Sequence, residues 1–153
     1  MKDYGELLDD DAATDAAGRV RDLMEFLDEE GFASPPRDAG VDRVCYHDAC
    51  HALRAQHVRK QPRAVLARIP GLEIVEIPDG DRCCGAAGLY NVLEPEMSGR
   101  LMREKAEAVV STGASVVASG NPGCTMQLLA GFRELGADVS VVHPVELLDA
   151  ATR

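Results

Sequence analysis

Asp81-Arg82-Cys83-Cys84-Gly85-Ala86-Ala87-Gly88 is the stretch on which the reading of this chain turns. Closing the adjacent Cys83 and Cys84 into a disulfide would make a strained ring, so the pair is better suited to holding a metal or cluster. The small residues and glycines behind it let a backbone approach something bulky. Two more cysteines stand far off on either side, in the pattern Cys50-x32-Cys83-Cys84-x39-Cys124. They make a site only if the fold gathers them.

The sequence outward from that stretch alternates strand and helix. Val41–Tyr46, Leu72–Ile77, Ser115–Ser119 and Val139–Val142 are β-rich or doubly buried runs and read as strands. Helices are predicted from Cys50 to Ile69, with Pro62 an interruption or restart, and from Glu94 to Thr112. Two more are predicted at Thr125–Leu135 and at Pro144–Ala150, the last with proline in its first turn. The alternation predicts an α/β fold: an open, mainly parallel sheet of about four strands with flanking helices.

In that fold Cys50 follows the first strand, Cys83 and Cys84 the second, and Cys124 the third. Ligands of open parallel sheets bind beyond the carboxyl ends of the strands, where these positions converge. Asp48 is expected to cap the helix whose first turn holds Cys50, and Gly120-Asn121-Pro122-Gly123 leads Cys124 into a helix from Thr125. Helix N-termini favour anionic sulfur. Four thiolates match the donor type of an iron–sulfur cluster or Zn2+.

Blander readings compete at each position. Cys83 and Cys84 also suit two small buried hydrophobes, and Cys45, inside the first strand, reads as core. His47, His51 and His143 flank strand ends, where hydrogen bonding or capping competes with ligation. His57 reads as surface. Arg54, Arg59, Lys60 and Arg63 read as a solvated helix face that could also attract an anion.

At 153 residues the chain is long enough for one domain plus an extension. Its net charge of −10 argues against nucleic acid and anionic membrane as partners. No apolar run approaches membrane-spanning length, and Met1-Lys2-Asp3-Tyr4 does not open a signal peptide, so a cytoplasmic location is expected. There, five cysteines are thiols or ligands rather than disulfides. The charge is uneven. Residues 1–31 carry eleven acidic side chains against three basic ones, whereas residues 32–153 are almost balanced. We read 1–31 as an acidic helical arm, 32–40 as a Pro/Gly-rich linker and 41–153 as the cysteine-rich domain. The arm is predicted as two helices, one at Tyr4, Leu7 and Leu8 and one from Ala16 to Glu30. The second carries Val20, Leu23, Met24 and Leu27 at helical spacing.

Tyr46-His47-Asp48-Ala49-Cys50-His51, Cys83-Cys84-Gly85 and Gly120-Asn121-Pro122-Gly123-Cys124 together resemble the cysteine-rich "CCG" domain. That domain occurs in heterodisulfide reductase, in lactate-utilisation proteins and in the iron–sulfur subunit of glycolate oxidase. With His143-Pro144-Val145-Glu146-Leu147-Leu148 added, the motifs are most similar to the glycolate oxidase protein. The resemblance implies Cys50, Cys83, Cys84 and Cys124 as metal ligands, with His47, His51, Gly85 and Asn121 bordering the cofactor. That cofactor would be an iron–sulfur cluster of the [4Fe–4S] type. It also implies an electron-transfer role alongside a flavin-containing dehydrogenase subunit and a further iron–sulfur domain, passing electrons towards a quinone-type acceptor. Any membrane association would then be peripheral, through the complex. The arm would be the tail of a preceding repeat, since Val20–Leu27 echoes Val142–Leu148. The chain departs from the family pattern at Asn121, where a fifth cysteine is expected. Two alternatives stay open: a heterodisulfide or thiol–disulfide reductase, and a non-redox interaction domain with Zn2+.

Overall fold

The computed structural model describes residues 2–153. Four short strands, β1 (Arg43–Tyr46), β2 (Glu73–Val75), β3 (Val116–Ala118) and β4 (Ser140–Val142), form one sheet in the order β2-β1-β3-β4. Every neighbouring pair is parallel. The protein is therefore an α/β protein with an open parallel sheet and flanking helices. Chain order runs outward in opposite directions from β1 and β3, so the topological switch point lies between them.

Both faces of the sheet are covered, because alternate residues of a strand point to opposite sides. Val44, Tyr46, Val116 and Ala118 face α3 (Leu23–Glu30), α4 (Lys60–Leu66) and α8 (Pro144–Thr152), where Met24, Val65, Leu66, Leu147 and Leu148 complete one core. Cys45 and Val117 face the other way, onto α6 (Pro95–Ser111) and α7 (Pro122–Leu135), with Val109, Leu128 and Phe132. The latter two helices pack closely. A Cβ on Gly131 would stand 2.8 Å from that of Ala106, so no larger residue fits without separating them.

Several boundaries differ from the sequence reading. The arm contains three helices rather than two: α1 (Tyr4–Leu8), α2 (Asp11–Arg19) and α3. A capping box explains the extra break. Asp22 accepts from the Met24 N–H while the Glu25 carboxylate accepts from the Asp22 N–H, so a new helix starts where a continuous one was predicted. Glu25 is further tied by Lys2 at 2.6 Å. Met24 is 2% exposed in the core beneath the sheet, so α3 is integral to it.

The predicted Cys50–Ile69 helix is also divided. A single π-type turn, His51–Ala55, follows Cys50, and α4 starts only at Lys60. The break falls at His57, whose φ of +58° ends the turn, and not at Pro62, which sits buried in the first turn of α4. A four-residue helix, α5 (Tyr90–Leu93), precedes α6. No helix among the described residues is long and apolar enough to cross a membrane.

Candidate metal centre

Three strand-to-helix connections end in one crevice of about 640 Å³ at the carboxyl edge of the sheet. Its walls include Cys50 after β1, Cys83 and Cys84 after β2, and Cys124 at the start of α7. Asn121, His51, Ala86 and Gln127 also line it. Cys45 lies outside, fully buried in the sheet with its Sγ 3.1 Å from the Thr112 hydroxyl. All five thiols are free.

Local chemistry holds each wall. Gly85 has φ +88°, and a Cβ there would stand 2.5 Å from the Ser98 carbonyl oxygen, so only glycine makes this turn without a shift. Ser98 Oγ donates to the Gly85 carbonyl at 2.9 Å, and Gln127 donates to Ser98 Oγ at 2.8 Å, joining the Cys83–Gly85 loop to α6 and α7. Lys105, 1% exposed, donates its ammonium to the carbonyls of Asp79 and Gly80 and fixes the approach to the same loop. Burial lowers its pKa. In the sequence Lys105 stands among Leu101, Met102, Ala108 and Val109 of α6, and a lone cation among apolar residues at helical spacing is the signal that could have marked it as internal.

Helix α7 starts at Pro122 rather than the expected Thr125, which puts Cys124 inside its first turn. Asn121 caps it, Oδ1 accepting from the Cys124 N–H at 3.1 Å. The expected cap by Asp48 is replaced by another role. Its carboxylate, with a side chain 2% exposed, pairs with both terminal nitrogens of Arg63 at 2.8 Å, and Arg63 also binds Glu76. Arg63 lies over the Tyr46 ring as well. It is thus a structural cation behind the Cys50 turn, where the sequence suggested a solvated face. His143 caps α8 through Nδ1, while His57 is exposed.

The thiols of Cys84 and Cys124 influence each other's protonation in opposite directions. The close approach of the Cys124 thiol draws Cys84 well below the ordinary thiol range against the cost of burial, with the nearby His47 assisting. The same contact pushes Cys124 upward. Burial raises Cys83, partly offset by the Gly85 N–H, which donates to its Sγ at 3.3 Å. Of the pair, Cys84 is the thiol that gives up its proton more readily.

His47 and Gly85 are not part of the crevice lining; His47 lies behind it, beside Cys84 and Cys124. It is 1% exposed, and donor atoms of His47, Cys84 and Cys124 all lie within 4.8 Å of one another. Neither ring nitrogen meets a well-formed hydrogen bond; the ring's neighbour is the Cys84 sulfur, close enough to favour its anionic form but not aligned as an acceptor. Gathered thiols around a partnerless imidazole fit a sulfur-bound metal group, since such a group would satisfy atoms otherwise buried at a cost.

A parallel α/β sheet with a thiol-lined crevice at its switch point defines the class of protein. Residues 44–129 match the family model for the CCG cysteine-rich domain, and the chain belongs to that family. Lactate utilization protein A of Oceanobacillus iheyensis is 30% identical over 97% of this chain and 63% of that protein. A probable glycolate oxidase iron-sulfur subunit of Bacillus subtilis is 35% identical over 97% of this chain and 35% of that protein. One subunit of the fumarate reductase (CoM/CoB) of Methanothermobacter marburgensis is 39% identical over 86% of this chain and 27% of that protein. The chain thus spans less than two thirds of each of these relatives.

Proposed function

We propose that this chain is an iron–sulfur electron-transfer module of a multi-subunit oxidoreductase that oxidises a small 2-hydroxy acid of the glycolate or lactate type. One observation carries the reading: four thiols from three separate connections line a single crevice in a CCG family member. Relatives named as an iron–sulfur subunit and as lactate utilization proteins support it.

On this reading Cys50, Cys83, Cys84 and Cys124 hold the cluster, and His47, His51, Gly85 and Asn121 border it. A bound [4Fe–4S] cluster would supply one-electron transfer between a flavin on a partner subunit and a quinone-type acceptor. The chain's own residues bind and tune. Gly85 and Asn121 set the loop and helix that present sulfur, the Gly85 N–H donates to Cys83, and buried Lys105 places positive charge behind an anionic site. Exposed Leu89, Val92, Leu93 and Met126 leave apolar surface near the crevice on which a donor or acceptor subunit could sit. The acidic arm, residues 1–31, would be the tail of a preceding repeat, and residues 41–153 the cysteine-rich domain.

A single Zn2+ is the second reading, favoured by the compactness of the His47–Cys84–Cys124 group. Iron and acid-labile sulfide analysis of anaerobically prepared protein separates the two. Iron with sulfide is expected, and zinc without sulfide would replace the electron-transfer reading with a structural one.

A further inference from the structure

We infer that His47 is a nitrogen ligand of the centre, so that its donor set is mixed sulfur and imidazole rather than sulfur alone. The inference rests on the metal-binding reading above and puts the imidazole in place of one of its four sulfur donors, since a [4Fe–4S] cluster takes one terminal ligand per iron.

His47 stands one residue beyond the last paired position of β1, and its backbone N–H donates to the Ala118 carbonyl at 2.9 Å. The ring is thus anchored to the two central strands rather than to a movable loop. It shares the α6/α7 side of the sheet with Cys45, two residues before it, and therefore points towards the thiol cluster. Burying an imidazole whose nitrogens make no hydrogen bond carries a desolvation cost that a bond to a metal would relieve. A core position tolerates that poorly unless something absent from the protein chain satisfies it. The imidazole nitrogen lies within 4.8 Å of the sulfurs of Cys84 and Cys124, a span that ligands of one metal atom can close by small rotations.

A second buried polar atom lies on the same side of the sheet. Metal-bound imidazoles usually hold their other nitrogen by a hydrogen bond to a protein oxygen. Ser119 Oγ, also buried and without a partner, stands at the matching position one residue beyond Ala118 on β3, on the same side of the sheet. His47 and Ser119 are thus the two residues with partnerless buried side-chain atoms among those described, and they lie side by side across adjacent strands. Their side chains make no hydrogen bond to each other, so Ser119 holds neither ring nitrogen in this structure.

The test is the coordination shell of anaerobically reconstituted protein, read by 14N hyperfine spectroscopy of the paramagnetic iron state. A nitrogen coupling of directly bound imidazole is expected, lost in His47→Gln. His47→Cys should restore loading with an all-sulfur shell and a more negative midpoint potential. Apo-protein melting curves for the variants separate misfolding from lost ligation. Iron bound without that nitrogen coupling, or a spectrum unchanged in His47→Gln, overturns the inference and leaves the iron–sulfur reading standing. If zinc alone binds, X-ray absorption must show one light scatterer among the sulfurs; a sulfur-only shell overturns it. Uptake of neither metal overturns both readings.

Discussion

Ser98 and Gly85 interlock: the Ser98 hydroxyl donates to the Gly85 carbonyl at 2.9 Å, and the Ser98 carbonyl stands where a Gly85 side chain would be. The turn that presents Cys83 and Cys84 is thereby keyed into the first turns of α6. Gly85→Ala must adopt a left-handed φ, at about 1–3 kcal/mol, before the clash is added. We expect lower stability in denaturant titration and reduced metal loading. A change under about 0.5 kcal/mol, as for a surface substitution, would show that the loop moves freely.

Arg63 is the partner of a buried carboxylate. Arg63→Gln strips Asp48 of its bidentate pair and should cost about 3–5 kcal/mol, with Asp48→Asn/Arg63→Gln recovering part of the loss. The variant also changes the acid limb of stability. Hydrogen bonding to Arg63 holds Glu76 below its ordinary value of 4.5. Its contribution is therefore complete above that pH and lost as pH falls through the lowered value. Without Arg63 that part of the acid dependence should vanish, as urea titrations from pH 7 to 3 would reveal. An unaltered acid limb would contradict the pairing.

Cys45 and the crevice cysteines should separate cleanly. Cys45→Ala removes a fully buried thiol bonded to Thr112 and should cost about 1 kcal/mol with metal content unchanged. Cys84→Ala should abolish loading. Loss of metal in Cys45→Ala would place Cys45 in the site after all.

The arm belongs to the core at one residue. Met24→Ala should destabilise the protein by about 2–5 kcal/mol, whereas Leu7→Ala, at a side chain 73% exposed, should stay within about 0.5 kcal/mol. Equal effects of the two substitutions in thermal melts would refute this division.

The fold class was legible because its signals are local. Runs such as Val116–Ala118 are apolar on both faces, Gly113 and Gly136 punctuate the helices, and strand–helix alternation leaves few topologies. The cysteine positions were legible for the same reason, since any residue just after a strand of a parallel sheet lies at its carboxyl edge. What only the tertiary structure decided were matters of partnership across the chain. Asp48 reads as a helix cap by spacing, yet Arg63, fifteen residues on, claims its carboxylate once α4 folds back over β1. Lys105 reads as one position of an amphipathic helix, yet its ammonium ends among the carbonyls of a loop about twenty-five residues earlier. His47 is the plainest case. Its neighbours in sequence say nothing of whether its nitrogens find partners. That depends on which side chains of β3, α7 and the Cys83–Gly85 loop pack against it, and burial with unmet polarity is a property of the assembled fold alone.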